Sequence, residues 1–189
     1  MGIRVRKNEM TILVSSDWHI GHSRILEYCS RPFSDVNHMN EALIKNWNEC
    51  VKPDDTTIVL GDCFMGQIEN IDKYMPRLCM GKYSILCAGN HDQGKRHKLL
   101  EKYFDEVYDK PVTISHKGRA FLLAHNPEDA KSLDLMPGEY LLYGHVHDNA
   151  PTGYDPATKS FHVGVDTNNY RPVDLDEICR QIDEAEQDM

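Results

Sequence analysis

Tyr140-Leu141-Leu142-Tyr143-Gly144-His145-Val146-His147 is the stretch on which the reading of this chain turns. A run of apolar residues of strand length ends in glycine, and two imidazoles follow two residues apart. On its own, a His-x-His pair is more often an ordinary loop than a metal clamp. It gains weight because four other apolar runs end in the same way. Thr11-Ile12-Leu13-Val14 leads into Asp17 and His19, and Thr56-Thr57-Ile58-Val59-Leu60 into Gly61-Asp62. Tyr83-Ser84-Ile85-Leu86-Cys87-Ala88 leads into Gly89-Asn90-His91-Asp92, and Ala120-Phe121-Leu122-Leu123-Ala124 into His125-Asn126-Pro127. The runs are rich in β-branched and aromatic residues and read as buried strands. In open α/β sheets, ligands bind beyond the carboxyl ends of the strands. Five strands that all end in Asp, Asn or His at that end are poorly explained by core packing.

Composition sets the bounds. The chain of 189 residues, 40% of them apolar, suits one domain with a sizeable core, here expected over residues 1–189. No apolar run approaches the roughly 18 residues that a membrane helix needs. The start, Met1-Gly2-Ile3-Arg4-Val5-Arg6, has no apolar signal region. Six cysteines without a C-x-x-C pair point to a reduced, cytoplasmic chain. A net charge of -9 disfavours broad nucleic-acid binding. It leaves room for a small phosphate ester, provided that cations or a few arginines supply local positive charge.

Between the strands the periodicity is helical. Ser34 or Asp35 caps a helix over about 36–51 whose stripe is Met39, Leu43, Trp47 and Val51. A second helix is expected over 67–79, with Pro76 disturbing its last turn. A short third helix is expected over 98–104, and a last one is capped by Asp174 with Glu177 at the capping-box position. Val112-Thr113-Ile114 and the run 120–124 bracket His116-Lys117-Gly118-Arg119 as a hairpin. A Pro/Gly/Asp-rich loop over 149–159 precedes a strand at 160–165. Asp17 and His19 at i and i+2 share one side in extended backbone. His22, Arg24 and Arg31, in the loop and short helix after the first strand, are placed to reach a phosphate, although solvated arginines are the commoner reading. The O and N donors at the strand ends suit hard-to-borderline divalent ions such as Mn²⁺, Fe²⁺ or Zn²⁺.

D-x-H, G-D, G-N-H-D, H and G-H-x-H, in that order over residues 17–147, are similar to the calcineurin-like metallophosphoesterase signature. Gly21-His22, Arg31-Pro32-Phe33, His125-Asn126-Pro127 and the segment from Gly164-Val165-Asp166 to Tyr170-Arg171-Pro172 resemble a branch of small bacterial and phage phosphoesterases. The resemblance implies a four-layer α/β/β/α sandwich of two mixed sheets and two divalent ions, Mn²⁺ first, with Fe²⁺, Zn²⁺, Ni²⁺ or Co²⁺ as alternatives. It implies that Asp17, His19 and His147 hold one ion, that Asn90, His125 and His145 hold the other, and that Asp62 bridges them. His91 would contact the phosphate and assist the leaving group, and Asp92 would orient His91. His22, Arg24, Arg31, Asn90 and Asn169 are the expected substrate contacts.

The chemistry would be direct attack by a hydroxide bridging the two ions, with no phospho-enzyme. Departures from related families narrow the substrate. No Arg follows Gly61-Asp62 as in Ser/Thr protein phosphatases, and Met65 stands where purple acid phosphatases place a metal-binding Tyr. A small phosphomonoester or phosphodiester, such as a nucleotide or cyclic phosphate, is expected. A nuclease acting on RNA or DNA ends and a non-catalytic scaffold of the same fold are the alternatives.

Overall fold

The structure, a computed structural model, describes residues 10–130 and 135–187. The opening segment Met1–Arg6 lies outside them. The strands and helices, in chain order, are β1 (Ile12–Ser15), α1 (Ile25–Tyr28), α2 (Val36–Cys50), β2 (Thr56–Val59), α3 (Glu69–Tyr74), β3 (Tyr83–Cys87), α4 (Lys95–Leu100), β4 (Glu106–Tyr108), β5 (Val112–His116), β6 (Arg119–Ala124), β7 (Glu139–Tyr143), β8 (Tyr154–Asp155), β9 (Ser160–His162), β10 (Val173–Asp174) and α5 (Leu175–Gln187). They form two mixed five-stranded sheets, ordered β10-β1-β2-β3-β4 and β5-β6-β7-β9-β8. β1 to β4 are mutually parallel in the first sheet, and β6, β7 and β9 in the second. All five polar strand ends read from the sequence are therefore carboxyl ends of parallel strands.

Alternation along the strands sorts the core into layers. Val14, Ile58, Leu60, Ile85 and Cys87 from the first sheet meet Phe121, Leu123, Tyr140, Leu142 and Phe161 from the second. Leu13, Val59 and Leu86 point the other way, onto Met39, Leu43 and Trp47 of α2 and onto Ile71 and Met75. The stripe of α5, Leu175, Ile178 and Ile182, joins the inter-sheet core. On the far face of the second sheet, Leu122, Leu141 and Tyr143 pack with Ala130 of a 3₁₀ turn, Pro127–Ala130. Burying one such side chain contributes about 1.5–3 kcal/mol, so these layers fix the sheets and hence the strand ends. All six cysteines are free.

Local differences from the sequence reading have local causes. Pro76 turns the end of the expected 67–79 helix into a 3₁₀ turn, Met75–Arg77, leaving α3 short. α4 starts three residues early because Gly94, at φ 67, reverses the chain there. Leu100 and Phe104 are buried as expected. β4, β8 and β10 were not expected; they are two or three residues long and carry no apolar run. Lys117 and Gly118 make a two-residue hairpin turn with φ 49 and 78, the left-handed pair that suits strand twist. The capping box at α5 does not form. Asp174 accepts from the Asp176 N–H at 2.9 Å, but Glu177 is engaged by Arg180 and Gln181.

Asp35 caps α2 fully, its Oδ1 accepting from Asn37 N at 2.8 Å and His38 N at 2.9 Å. Asp35→Ala is expected to lower stability by about 1 kcal/mol, read as a shifted urea midpoint at unchanged slope. An unchanged midpoint would show that this cap carries no stability.

Candidate metal centre

The turns after β1 and β2 run side by side. Asp17 N donates to Gly61 O at 3.1 Å, His19 N to Asp62 O at 3.0 Å and Ile20 N to Cys63 O at 3.0 Å. Asp17, His19, Asp62, His145 and His147 all stand at positive φ, 60, 52, 54, 73 and 53°. Asp17 and His19 are therefore not in the expected extended backbone; tight left-handed turns aim these side chains. Each such residue costs about 1–2 kcal/mol, and strain of this kind collects at functional sites. Gly89 is required where it stands, because a Cβ there would collide with Asp62 Oδ1 and the Asp62 N–H.

Asp62 Oδ2 is the centre of the arrangement. It lies 3.5 Å from His19 Nε2, 3.5 Å from His125 Nε2 and 3.8 Å from His91 Nε2. On one side, donor atoms of Asp17, His19 and His147 lie within 4.8 Å of one another; on the other, those of Asp62, His125 and His145 do. The second sheet is tied to the first by Asp17, whose Oδ1 and Oδ2 accept from His145 N at 3.1 and 2.9 Å.

These residues fit divalent ions. His125 Nδ1 lies 2.7 Å from Leu60 O and must donate to it, since a carbonyl only accepts. In the neutral ring, Nε2 then presents a lone pair, yet it faces Asn90 Oδ1 at 3.1 Å and His145 Nδ1 at 3.2 Å. A cation shared by the nitrogen and the carboxamide oxygen would satisfy both lone pairs at once. His19 is buried, and neither of its ring nitrogens has a hydrogen-bond partner among the described residues. Such orphaned atoms cost about 1–3 kcal/mol unless something binds them.

Electrostatics agree. Burial holds His19 well below the usual histidine range, which favours the neutral ring that a cation would need. Burial also lowers His145. Burial pushes Asp17 up to about 6, against the pull of His125 and His147. For His147, burial opposes charge, but the hydrogen bond to Asp166, with contributions from Cys29 and Asp17, outweighs it and raises the group to about 10.

The remaining expected site residues separate into two sets. His91, His22 and Arg24 line a cleft of about 550 Å³, together with His19, His147, Tyr28 and Asn149. The His91 N–H donates to Asp62 Oδ1 at 2.9 Å, which anchors it at the cleft floor. Asp92, Arg31 and Asn169 are elsewhere. Asp92 does not pair with His91: its carboxylate accepts from Asp62 N at 2.6 Å, Gly89 N at 2.9 Å and Cys63 N at 3.2 Å. It clamps the backbone that carries Asp62. Arg31 has no face for a phosphate; it is buried and its guanidinium is shared among Asp166, Trp18 O and Asp17 O. Removing one partner from such a buried pair costs about 3–5 kcal/mol. Asn169 is exposed on a left-handed turn and does not line the cleft.

Two site residues escaped the sequence reading. Asp166 accepts from or shares a proton with His147 Nδ1 at 2.8 Å. His162 is buried beneath Asp17, its Nε2 3.9 Å from Asp17 Oδ2, and burial lowers it to about 4. Asp166 follows directly on the 160–165 run, a sixth strand end and the available signal, whereas His162 lies inside that run as the last residue of β9.

A parallel α/β double sheet with paired His/Asp/Asn donor groups at its carboxyl rim defines a class, and comparison with known proteins gives the family. Residues 10–171 match the model of the calcineurin-like phosphoesterases. The chain belongs to the calcineurin-like phosphoesterase family, whose members act on phosphate esters with divalent metals. It is 33% identical to an uncharacterised protein of Methanocaldococcus jannaschii over 179 residues, 92% of each chain. It is 30% identical to the gene 66 protein of Mycobacterium phage L5, covering 87% of this chain and 90% of that one. A solved protein of unknown function from Aquifex aeolicus superposes with a TM-score of 0.73 at 27% identity, covering 91% of this chain and 99% of that one. Among the described residues no helix is long and apolar enough to cross a membrane.

Between the two raised values, near pH 8, metal-free His147 is protonated and Asp17 is ionised. If His147 is a ligand, a cation must displace its proton, so uptake near pH 8 should release about one proton and affinity should rise about tenfold per pH unit. Below about 6, Asp17 adds a second proton and the dependence steepens. Calorimetry in buffers of differing ionisation enthalpy reads the count; zero protons released near pH 8 would contradict this assignment.

Proposed function

We propose that the chain is a hydrolase of small phosphate esters that works with two divalent cations, Mn²⁺ first, one on each side of Asp62. The single observation that carries this is the set of distances around Asp62 Oδ2, with imidazole nitrogens of His19 and His125 each at 3.5 Å from opposite donor groups. Asp17, His19 and His147 would hold one cation, Asn90, His125 and His145 the other, and Asp62 both. When bound, such a pair supplies a water activated near neutral pH and neutralises charge on the phosphoryl oxygens.

The protein's own residues do the rest. His22 and Arg24 sit on the cleft wall, where they can orient phosphate oxygens; Arg24 is exposed there. His91, its backbone fixed on Asp62 and its ring on the cleft side, is placed to give a proton to the leaving oxygen. Asn90 turns its Oδ1 toward His125, which leaves its amide free to face substrate. Asp92 keeps the Asp62 and Gly89 backbones in register, so the bridging carboxylate does not drift. The volume of the cleft, about 550 Å³, admits a nucleotide-sized ester. Attack would be direct, without a phospho-enzyme, by a water held between the two cations.

The test is a panel of p-nitrophenyl phosphate, its bis-ester, and 2′,3′- and 3′,5′-cyclic nucleotides with Mn²⁺ and other divalent ions. Turnover of at least one substrate is expected, and none with any metal contradicts the reading. His91→Ala should lower kcat by about 10²–10⁴-fold and keep both metal equivalents. Loss of metal in that variant would show His91 to be a ligand. A chiral thiophosphate substrate should invert at phosphorus, and retention would contradict direct attack.

A further inference from the structure

Two segments singled out in the sequence, Arg31-Pro32-Phe33 and the stretch from Asp166 to Pro172, take no part in the chemistry above, yet they meet inside the protein. Arg31 Nε lies 2.7 Å from Asp166 Oδ1, and its second terminal nitrogen 2.9 Å from Asp166 Oδ2, a two-pronged pair with both side chains buried. The same guanidinium donates to Trp18 O at 2.9 Å and to Asp17 O at 2.8 Å. Asp166 Oδ2 also lies 2.8 Å from His147 Nδ1. A continuous chain of charge-assisted hydrogen bonds thus runs from the turn that carries Asp17 and His19, through Arg31 and Asp166, to His147. Tyr170 closes it over the guanidinium, its ring centroid 5.9 Å away.

The same atoms admit another role. Donor atoms of Cys29, His147 and Asp166 lie within 4.8 Å of one another and could themselves seat a cation. Charge decides against it. Both Asp166 oxygens are already engaged by a fixed guanidinium, and a cation on that carboxylate would be held against the positive charge of Arg31. The nitrogen that faces Asp166 is also the one a cation there would need.

We propose that Asp166, locked by Arg31, is the positioning residue for His147: it holds the ring proton on Nδ1 and leaves Nε2 for the group formed with Asp17 and His19. This rests on the reading of His147 as a cation ligand. Partners of this kind fix the tautomer and the ring orientation of ligating histidines, and their removal typically weakens metal affinity 10–100-fold. Arg31 has a second effect in this arrangement. Because it also grips the carbonyls of Asp17 and Trp18, it fixes the spacing between His147 and the turn that carries the other two donors.

Ring ¹⁵N NMR of the unmutated protein loaded with Zn²⁺ gives a direct test. The His147 ring should carry its proton on Nδ1 and its metal on Nε2; metal on Nδ1 overturns the proposal. Binding isotherms with Zn²⁺ add a second measure. Asp166→Asn should weaken one of the two equivalents about 10–100-fold and leave the other within about twofold. Arg31→Met/Asp166→Asn removes both charges together and keeps the test open if the single variant fails to fold. Unchanged affinity in a folded variant overturns the proposal. So does a third equivalent that disappears in Cys29→Ser, since it would make the cluster a cation seat. Failure of the unmutated protein to bind any Zn²⁺ would instead remove the ligand reading of His147, and the proposal with it.

Discussion

One carboxylate oxygen, Asp62 Oδ2, sits at the meeting point of three imidazoles, and the structure around it exists to keep it there. The group is buried, and a carboxylate taken from water costs several kcal/mol unless hydrogen bonds and opposite charge offset it. Its other oxygen takes the His91 N–H, and the Asp92 carboxylate holds the Asp62 N–H from behind. Gly89 leaves the space that this oxygen fills. Cations on the donor groups to either side would supply the remaining compensation, and that requirement links stability to metal binding.

The two sheets contribute different chemistry. The first brings the oxygen donors, Asp17, Asp62 and Asn90, with His19; the second brings His125, His145 and His147. The Asp17 carboxylate on the His145 N–H and His125 Nδ1 on Leu60 O join them, reinforced by the Arg31–Asp166 pair on the far side of His147. A centre built at the seam between two sheets is rigid only if the inter-sheet core is rigid. The apolar layer of Val14, Leu60, Phe121, Leu123 and Leu142 directly below it therefore serves the site as well as the fold.

What the sequence made legible was what repeats along it. Apolar runs ending in polar residues marked the strand tips, and the α2 stripe from Met39 to Val51 marked a helix, because both patterns are set by local periodicity. Arg31 was misread because its partners are two backbone carbonyls and a residue 135 positions away. Asp92 was misread because adjacency suggested His91, whereas the turn directs its carboxylate back to the strand tips. His162 had no signal of its own, and Asp166 only its place after a strand; their importance comes from the antiparallel return of β10 and the parallel addition of β9, which no local pattern encodes. The left-handed turns at Asp17, His19, Asp62, His145 and His147 were invisible for the same reason, since Asp and His only modestly favour that conformation.

The central claim is that Asp62 is shared by two cation seats. Anomalous diffraction from crystals grown with Mn²⁺ measures this most directly. Two peaks about 3.5–4 Å apart, with Asp62 Oδ2 between them, are predicted. A single peak, or two peaks of which only one contacts Asp62, would contradict the account.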